Sequence, residues 1–297
     1  MILLTGATGF IGRHLLVALQ KEYGYDNVIA LSSKPIENGK YLLHNNYTFD
    51  TDFFIKNGCE KINTIVHAGA FIPKNNTQLN DWENCNTNIY NSGKLLKSNL
   101  PELKNIVFLS TVDVYGEDAI INEQTTINPV SLYGYSKLYG EKMILSWAKE
   151  NNKLAQILRI GHVYGEGEEQ YQKLIPLTIN NILRNQPVRR FGNGNEIRSF
   201  IYIQDVVNCI LKSVHLNEFP GEINVAGKES ISINALLDKL IQLSNKNISI
   251  EQISSSAKSR DLIFDTTKME TCLQKESYRL DTGLQREWNY MQNLLTK

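Results

Sequence analysis

The sequence lacks an excess of charge of either sign. Its 297 residues include 31 Lys and Arg against 31 Asp and Glu, so the formal net charge is zero. A neutral chain has no overall field that would hold the backbone of a nucleic acid or an anionic membrane surface. We therefore expect neither a nucleic acid nor a membrane among its partners.

Long apolar runs and clustered cysteines are also missing. Because no stretch of about 18 consecutive apolar residues occurs, no transmembrane helix is predicted. The N-terminus has no basic segment of the kind that opens a signal peptide. The cysteines are too widely spaced to predict a disulfide framework or a metal site; they are Cys59, Cys85, Cys209 and Cys272. We expect a cytoplasmic protein.

What the sequence does have is the composition and periodicity typical of an α/β protein. Its hydrophobic fraction of 42% is enough for a globular core. In the first half, short apolar segments alternate with segments whose apolar residues recur at helical spacing. The predicted strands are residues 1–5, 28–31, 47–49, 64–67, 106–110 and 155–159, and the predicted helices are residues 10–23, 79–99 and 133–150. This order predicts a doubly wound parallel sheet.

The second half of the chain has a looser pattern. It predicts helices at residues 175–183, 205–215, 233–243 and 283–295, and short strands at residues 188–191, 200–203 and 263–264. We predict that residues 1–165 mainly form the larger domain. Residues 166–297 would mainly form a smaller region packed on the sheet, with some chain crossing back to it.

A glycine-rich segment joins the first predicted strand to the first predicted helix. It reads Gly6-Ala7-Thr8-Gly9-Phe10-Ile11-Gly12. Such glycines allow a tight turn, a close approach of backbone to a pyrophosphate, and close packing of helix on strand. The helix N-terminus then offers free N–H groups to phosphate. An ordinary turn would explain glycines alone, but this position predicts a dinucleotide-binding turn in a Rossmann-type fold.

A tyrosine and a lysine lie four residues apart on a predicted helix, and therefore on one face of it. They are Tyr133 and Lys137. An ammonium group beside a tyrosine lowers its pKa from the usual value of about 10. Such a tyrosine could exchange a proton with a hydroxyl or a carbonyl while hydride moves. A chance pair on an exposed helix is the alternative for these two residues taken alone.

Hydroxyl side chains follow the predicted strand at residues 106–110. The carboxyl edge of a parallel sheet is where active sites collect. We assign Thr111 to hold the reacting oxygen against Tyr133, and we place Ser110 nearer the cofactor. The alternative is an ordinary Ser/Thr turn at the end of a strand.

Together these motifs resemble the extended short-chain dehydrogenase/reductase family, in the branch that acts on nucleotide sugars. The resemblance runs from residue 1 to about residue 268 and implies a catalytic triad of Thr111, Tyr133 and Lys137. It implies that residues 1–165 bind NAD(P) and that the smaller region binds a nucleotide-sugar substrate. It also makes a homodimer plausible, paired through the helix of Tyr133 and its neighbour.

The resemblance extends to other parts of the cofactor site. Small residues after the fourth strand would let the chain pass under the cofactor, Asn88 would lie near the active site, and Asp50 would meet the adenine amino group. The predicted cofactor-binding residues are Gly6, Thr8, Gly9, Phe10, Ile11, Gly12, Arg13, Ser32, Ser33, Lys34, Asp50, Thr51, Ala68, Gly69, Ala70, Asn88, Ser110, Tyr133 and Lys137.

On the substrate side, residues 159–165 resemble an Arg-x-x-Asn-Val-Tyr-Gly motif, but His162 stands where Asn is usual. Arg198 would clamp a diphosphate, for which the guanidinium fork is suited. A second phosphate-binding cation would be Lys258 or Arg260. The predicted substrate-binding residues are Phe71, Thr111, His162, Arg198, Lys258 and Arg260.

The second predicted strand ends without the acidic residue that an NAD site usually places on the ribose. Ser32, Ser33 and Lys34 stand there and could receive a 2′-phosphate, with Arg13 close by. This favours NADP(H), although a neutral turn could also admit NAD(H). We predict no metal.

Several reactions are compatible with the triad. Val112 and Asp113 stand where dehydrating relatives often carry an acid followed by Glu, which disfavours a 4,6-dehydratase. We favour a 4-keto-6-deoxy-sugar 4-reductase that consumes NADPH, with a 4-epimerase that retains NAD as the alternative. A non-catalytic NADP sensor is the alternative of another class, and the presence of Tyr133 and Lys137 argues against it.

Overall fold

The computed structural model describes residues 1–254 and 260–295. Its strands are β1 (Ile2–Thr5), β2 (Val28–Ser32), β3 (Lys40–Leu43), β4 (Thr64–His67), β5 (Asn105–Thr111), β6 (Leu154–Ile160), β7 (His162–Tyr164), β8 (Val188–Phe191), β9 (Ile197–Tyr202), β10 (Ile223–Val225), β11 (Ser230–Ser232) and β12 (Ile250–Ile253). Its helices are α1 (Phe10–Tyr23), α2 (Phe53–Lys56), α3 (Trp82–Leu96), α4 (Leu132–Glu150), α5 (Leu174–Leu183), α6 (Ile203–Val214), α7 (Ile233–Ser244), α8 (Thr267–Cys272) and α9 (Leu280–Leu295).

Seven parallel strands form the central sheet, in the order β10-β6-β5-β4-β1-β2-β3. The chain leaves β1 in one direction through β2 and β3, and returns on the other side through β4, β5 and β6. The carboxyl edge at such a reversal is where open α/β sheets bind ligands. The predicted Rossmann-type α/β fold is therefore confirmed. Two smaller sheets, β11-β9-β7 and β12-β8, lie outside the central one.

Helices cover both faces of the central sheet because successive strand residues point to opposite sides. On β1, Leu4 belongs to the core that includes α1 and α6, whereas Leu3 belongs to the core that includes α3 and α4. The two cores hold the strands in place, so that the carboxyl ends of β1, β4 and β5 meet along one edge.

The strand predicted at residues 47–49 is wrong. The third strand is β3, which pairs with Ile29–Ser32. Asn46 and Tyr47 have φ angles of 45° and 57°, a left-handed conformation that a strand does not contain. The β3 strand lies at the edge of the sheet with mostly exposed side chains, so its sequence lacks the apolar run that marks a buried strand.

Other elements differ in their bounds or were not predicted. The helix predicted at 79–99 begins at Trp82, because the Asp81 side chain caps it by accepting a hydrogen bond from the backbone N–H of Asn84. The strand predicted at 263–264 is a single bridge, between Ile121 and Phe264. The short strands β7, β10, β11 and β12 were not predicted from the sequence. Across residues 1–254 and 260–295, no helix is both long and apolar enough to traverse a bilayer.

Candidate active site

The glycine-rich turn forms the first part of the site. Gly6 has a φ of 71°, and a Cβ on Gly12 would overlap the carbonyl oxygen of Gly6, so only glycine lets α1 begin against the end of β1. The N-cap of α1 is Gly9, which offers no side chain to the N–H groups of the first turn, and that turn has no acidic residue. These N–H groups and the positive end of the helix dipole fit the pyrophosphate of a dinucleotide.

The small residues predicted at 68–70 lie directly beside this turn. A Cβ on Gly6 would come within 2.6 Å of the backbone nitrogen of Gly69, so the end of β4 passes against the turn, backbone to backbone. The N–H of Gly69 donates to Thr5 Oγ1 at 2.8 Å. That Ala68, Gly69 and Ala70 let the chain pass under a cofactor stays a prediction.

A buried histidine stabilises the same region. Thr5 Oγ1 accepts from Gly69, so its own proton is free to donate to Nδ1 of His67 at 2.7 Å. The Nε2–H of His67 then donates to Ser92 Oγ at 3.0 Å, and Ser92 donates to the carbonyl oxygen of Asn88 at 2.8 Å. Burial lowers the pKa of His67 to about 3, so the ring is neutral. The network joins β1, β4 and α3 below the turn.

The structure brings the predicted triad together at the carboxyl end of β5. Thr111 ends that strand, and its side chain hydrogen-bonds Tyr133 near the start of α4. Lys137 follows one turn later, is only 3% exposed, and holds its Nζ 4.3 Å from the ring centre of Phe108. The three side chains therefore line one buried corner between β5 and α4.

The electrostatics of this corner differ from the prediction. Burial raises the pKa of Tyr133, the Asp113 carboxylate raises it further, and the hydrogen bond from Thr111 opposes them. Burial also lowers the pKa of Lys137 to about 7, against the attraction of Glu141. The expectation that Lys137 lowers the pKa of Tyr133 is wrong here, because burial dominates for both groups. Tyr133 holds its proton and is suited to donate it.

Asp113 is a neighbour of the triad whose contacts the sequence did not indicate. Its Oδ2 accepts a hydrogen bond from Thr111 Oγ1 at 3.1 Å, and its backbone N–H donates to the same oxygen at 3.2 Å. When Thr111 donates its single hydroxyl proton to this carboxylate, it cannot donate to Tyr133 at the same time. The backbone N–H of Asp113 then occupies one lone pair of Thr111, and the other can accept a hydrogen bond from a further hydroxyl.

A buried ion pair, which was not predicted from the sequence, lies behind the triad. Arg159 on β6 forms a two-point hydrogen bond with Glu141 on α4. Ser110 donates its hydroxyl to Glu141 Oε1 at 2.5 Å, so its side chain points to this pair. A signal was present, because Glu141 continues the four-residue spacing of Tyr133 and Lys137 along one helix face.

Two predicted cofactor residues make structural contacts instead of facing open space. The guanidinium of Arg13 donates to the carbonyl oxygen of Gly167, in the loop after β7, rather than to the turn after β2. Asn88 accepts from the backbone N–H of Phe71 at 2.7 Å, and donates to the carbonyl of Phe71 and to Ser136. Asn88 thus fixes the position of Phe71 beside α4.

The residues predicted to bind the adenosine half of the dinucleotide are mostly exposed. Ser32 is buried and accepts from the backbone N–H of Lys34 at 3.2 Å, whereas Ser33 and Lys34 are exposed. Asp50 is exposed and pairs with Lys56 at 2.5 Å. Thr51 is exposed too, and its carbonyl accepts from the backbone of Asn99. No acidic side chain stands at the end of β2.

A cationic cavity of about 210 Å³ lies beside β7 and β9. His162, Lys173 and Arg198 line it, together with Glu168 and Phe200. Burial lowers the pKa of His162 to about 4, so its ring is neutral at pH 7. Its Nδ1 is buried and has no hydrogen-bond partner among the described residues. Most of the lining is apolar, and Lys173 pairs with Glu168 at 3.7 Å. Arg198 and the unpaired imidazole are therefore the groups that an anionic ligand would meet here.

The two predicted phosphate-binding arginines approach each other near this cavity. Arg198 donates to the carbonyl oxygen of Ile197 at 2.9 Å and to the carbonyl oxygen of Arg260 at 2.6 Å. Arg260 donates to the carbonyl oxygen of Tyr115 at 3.2 Å, in the segment that follows Thr111. The structure therefore brings both arginines to the segment after Thr111, whereas Lys258 lies outside the described residues.

Comparisons with known proteins agree with this geometry. The family model for the NAD dependent epimerase/dehydratase family matches residues 2–226. The chain is 29% identical over 305 aligned residues, 99% of each chain, to a putative UDP-glucose 4-epimerase of Methanocaldococcus jannaschii. It is 28% identical over 254 residues, 80% of each chain, to a dTDP-4-dehydro-6-deoxyglucose reductase of Escherichia coli. Among solved structures, UDP-glucuronic acid 4-epimerase from Bacillus cereus, in complex with UDP-glucuronic acid and NAD, has a TM-score of 0.86 at 26% identity, with 99% of each chain covered.

Proposed function

Because this chain belongs to the NAD dependent epimerase/dehydratase family, as its motifs predict, we propose that it exchanges hydride between a nicotinamide dinucleotide and C4 of a nucleotide-linked sugar. The observation that supports this most directly is the meeting of Thr111 and Tyr133, with Lys137 one turn further along α4. They lie at the carboxyl edge of the sheet to which the glycine-rich turn also belongs.

The residues of this corner have separate roles in the proposed reaction. When bound, the dinucleotide supplies the hydride that C4 receives, or accepts the one that C4 loses. In the reductive direction Tyr133 donates its phenolic proton to the C4 oxygen, which converts the ketone to an alcohol. Thr111 holds the same oxygen from the side of β5. Lys137 binds the ribose of the dinucleotide and orients it beside Tyr133.

The cationic cavity would hold the diphosphate of the substrate. Arg198 lines it with a guanidinium group, Arg260 contacts Arg198 through its backbone carbonyl, and the unpaired Nδ1 of His162 adds a polar contact where relatives usually have Asn. Guanidinium forks bind phosphate oxygens in pairs. The role of Lys258 stays a prediction, as does that of Phe71, whose backbone is held by Asn88.

Reduction of a 4-keto-6-deoxy sugar is the direction we favour. The end of β2 carries Ser32, Ser33 and Lys34 and no acid, which suits the 2′-phosphate of NADP(H) better than the free ribose of NAD(H). NADPH is then consumed as a second substrate. The protonated state of Tyr133 also fits a proton donor, and the Escherichia coli relative is named as a reductase.

A 4-epimerase with retained NAD is the second candidate. The relatives from Methanocaldococcus jannaschii and Bacillus cereus, which match along 99% of each chain, are named as 4-epimerases. A 4,6-dehydratase and a non-catalytic NADP sensor are less favoured.

One experiment separates the candidates. The purified protein is supplied either with NADPH and a nucleotide-linked 4-keto-6-deoxy sugar, or with NAD and UDP-glucose. A reductase consumes NADPH in proportion to the alcohol formed, followed by the loss of reduced-nicotinamide absorbance. An epimerase forms UDP-galactose without net change in the cofactor. Turnover of neither substrate, with dinucleotide bound, would favour the sensor.

The cofactor preference has its own test. Replacing Lys34 by Glu places a negative charge where the 2′-phosphate would lie, and should weaken NADPH binding roughly tenfold or more. Binding of NADH should change little, because its ribose carries no phosphate. Fluorescence titration of both dinucleotides measures the ratio. An equal effect on the two would overturn the NADP(H) preference.

The same proposal includes a homodimer. Exposed aromatic rings stand on α3 and α4, which pack side by side; they are Trp82, Tyr90, Tyr135 and Tyr139, from 49% to 69% exposed. Exposed apolar patches of this kind mark interaction surfaces. Tyr139→Glu should give a monomer by light scattering, whereas Tyr25→Glu, on an exposed tyrosine outside these helices, should not. A wild-type monomer would contradict the homodimer.

A further inference from the structure

The catalytic face of α4 contains a third functional position. Tyr133, Lys137 and Glu141 follow one another at four-residue intervals, and all three are buried. The Glu141 carboxylate meets the guanidinium of Arg159, with Nε to Oε1 at 3.0 Å and Nη2 to Oε2 at 2.8 Å. The two side chains are 0% and 3% exposed. This two-point contact fixes both distance and angle between α4 and β6.

The pair also holds the strand that ends in Thr111. Ser110, the residue before it, donates to Glu141 Oε1 at 2.5 Å. On the other side, Arg159 Nη1 donates to the hydroxyl of Tyr115 at 2.8 Å, and that hydroxyl donates to Asn224 on β10 at 2.8 Å. Thr111 is therefore bracketed by two residues that the pair holds in place.

A buried ion pair contributes little net stability to a protein core. The loss of hydration generally offsets the attraction, so that apolar side chains of similar size stabilise a fold as well or better. Burial is the largest influence on the pKa of Arg159 and would lower it, but the hydrogen bonds and charge attraction of Glu141 and Tyr115 together outweigh burial and raise it. The two charges therefore serve to fix the positions of the side chains around them rather than to stabilise the fold.

We infer that Glu141 and Arg159 form a positioning pair, which sets the separation of Thr111 from Tyr133 and fixes Lys137 on the same helix face. The inference rests on the proposed function, because the positioned groups are its catalytic residues. It assigns the pair no contact with the substrate. Its effect is expected in turnover and in the titration of Lys137, and not in substrate affinity.

The first test removes the charges while keeping the volume. The double variant Glu141→Met with Arg159→Met should melt within about 5 °C of the wild type. Its kcat should fall at least about tenfold, with KM changed less than about threefold. Glu150→Gln, an exposed position on the same helix, should match the wild type in both constants. A stable double variant with wild-type kcat would overturn the inference.

The second test does not depend on activity. Lysines are labelled with ¹³C at Cε, and the Lys137 signal is assigned by its loss in Lys137→Met. Because the Glu141 charge raises the pKa of Lys137 against burial, Glu141→Gln should lower that pKa below the wild-type value of about 7 and shift the signal. An unmoved signal and titration would overturn the inference. If the wild type turns over no nucleotide sugar, the proposed function fails and this measurement still decides the pair.

Discussion

The catalytic corner of α4 and the cationic cavity beside β7 and β9 are built in different ways. In the corner, Ser110, Glu141 and Arg159 lie on regular elements and hydrogen-bond one another. In the cavity, His162 leaves Nδ1 without a partner, and Arg198 donates to backbone carbonyls, in the part of the chain that the structure describes. In the contrast between the two regions, the groups of the proposed catalytic corner are held by the fold itself, whereas the groups proposed to bind the diphosphate keep hydrogen-bonding capacity for a ligand.

The largest effect is expected at the catalytic corner, from Tyr133→Phe. The variant keeps the ring and loses the proton, so turnover should fall by roughly 10²- to 10⁴-fold. Dinucleotide binding should persist, because the turn at Gly6–Gly12 is unchanged. Steady-state kinetics and a dinucleotide titration measure both. The matched variant Tyr135→Phe, on the exposed face of the same helix, should behave as wild type, and full activity of Tyr133→Phe would remove the triad.

The next effect is expected in the cavity, from Arg198→Gln. Loss of charge-assisted hydrogen bonds to a diphosphate should raise KM roughly 10- to 100-fold. The kcat should change little, since the catalytic corner is untouched. Arg189→Gln, which removes an exposed arginine paired with Glu251, is the control. A fall in kcat with unchanged KM would place Arg198 with the reacting groups and erase the distinction between the two regions.

A smaller effect is expected on the free energy of unfolding, when the buried Lys137 of the catalytic corner is replaced. The pKa of Lys137 is about 7 in the folded protein and about 10.4 when unfolded. Between these pKa values the unfolded chain binds more protons than the folded chain, so Lys137 makes the free energy of unfolding rise with pH. Below pH 7 its buried charge lowers the free energy of unfolding by the full amount. Lys137→Met should therefore increase the free energy of unfolding at pH 7 by on the order of a few kcal/mol, while abolishing turnover.

Urea unfolding from pH 7 to pH 10 measures this effect. The difference between the wild type and Lys137→Met should shrink as pH rises, because the folded lysine loses its charge. Lys149→Met, at an exposed position of α4, should show no such trend. A destabilised Lys137→Met variant with an unchanged pH dependence would mean that Lys137 carries no desolvation penalty.

The smallest effect is expected from His162→Asn, which restores the residue usual in relatives. Because the pKa of His162 is about 4, the ring is neutral at pH 7, and KM should change less than about threefold there. As pH falls toward 5 and below, the wild-type ring gains a positive charge beside the diphosphate. The ratio of wild-type to variant KM should then decrease, and a ratio independent of pH would show that His162 does not face the phosphates.

Much of the catalytic corner could be predicted from the sequence, because each of its motifs spans only a few residues. Four residues of spacing place Tyr133 and Lys137 on one helix face, and the end of a strand places Thr111 at the edge of the sheet. The sequence could not predict β3, whose exposed edge carries no apolar run, or the contact of Arg13 with Gly167, which joins residues 154 positions apart. Pairing over such distances leaves no periodic trace in the chain.

By itself the sequence determined the glycine-rich turn, the alternation of strands and helices, and the choice of residues for the proposed triad, because each depends on neighbours within a few residues. Only the tertiary structure decided how those groups behave. Burial keeps Tyr133 protonated and brings the pKa of Lys137 near 7, and the pairing of β6 with β5 places Arg159 behind Glu141. Solvent exclusion and long-range contact set these properties, and both arise only once the sheet has formed.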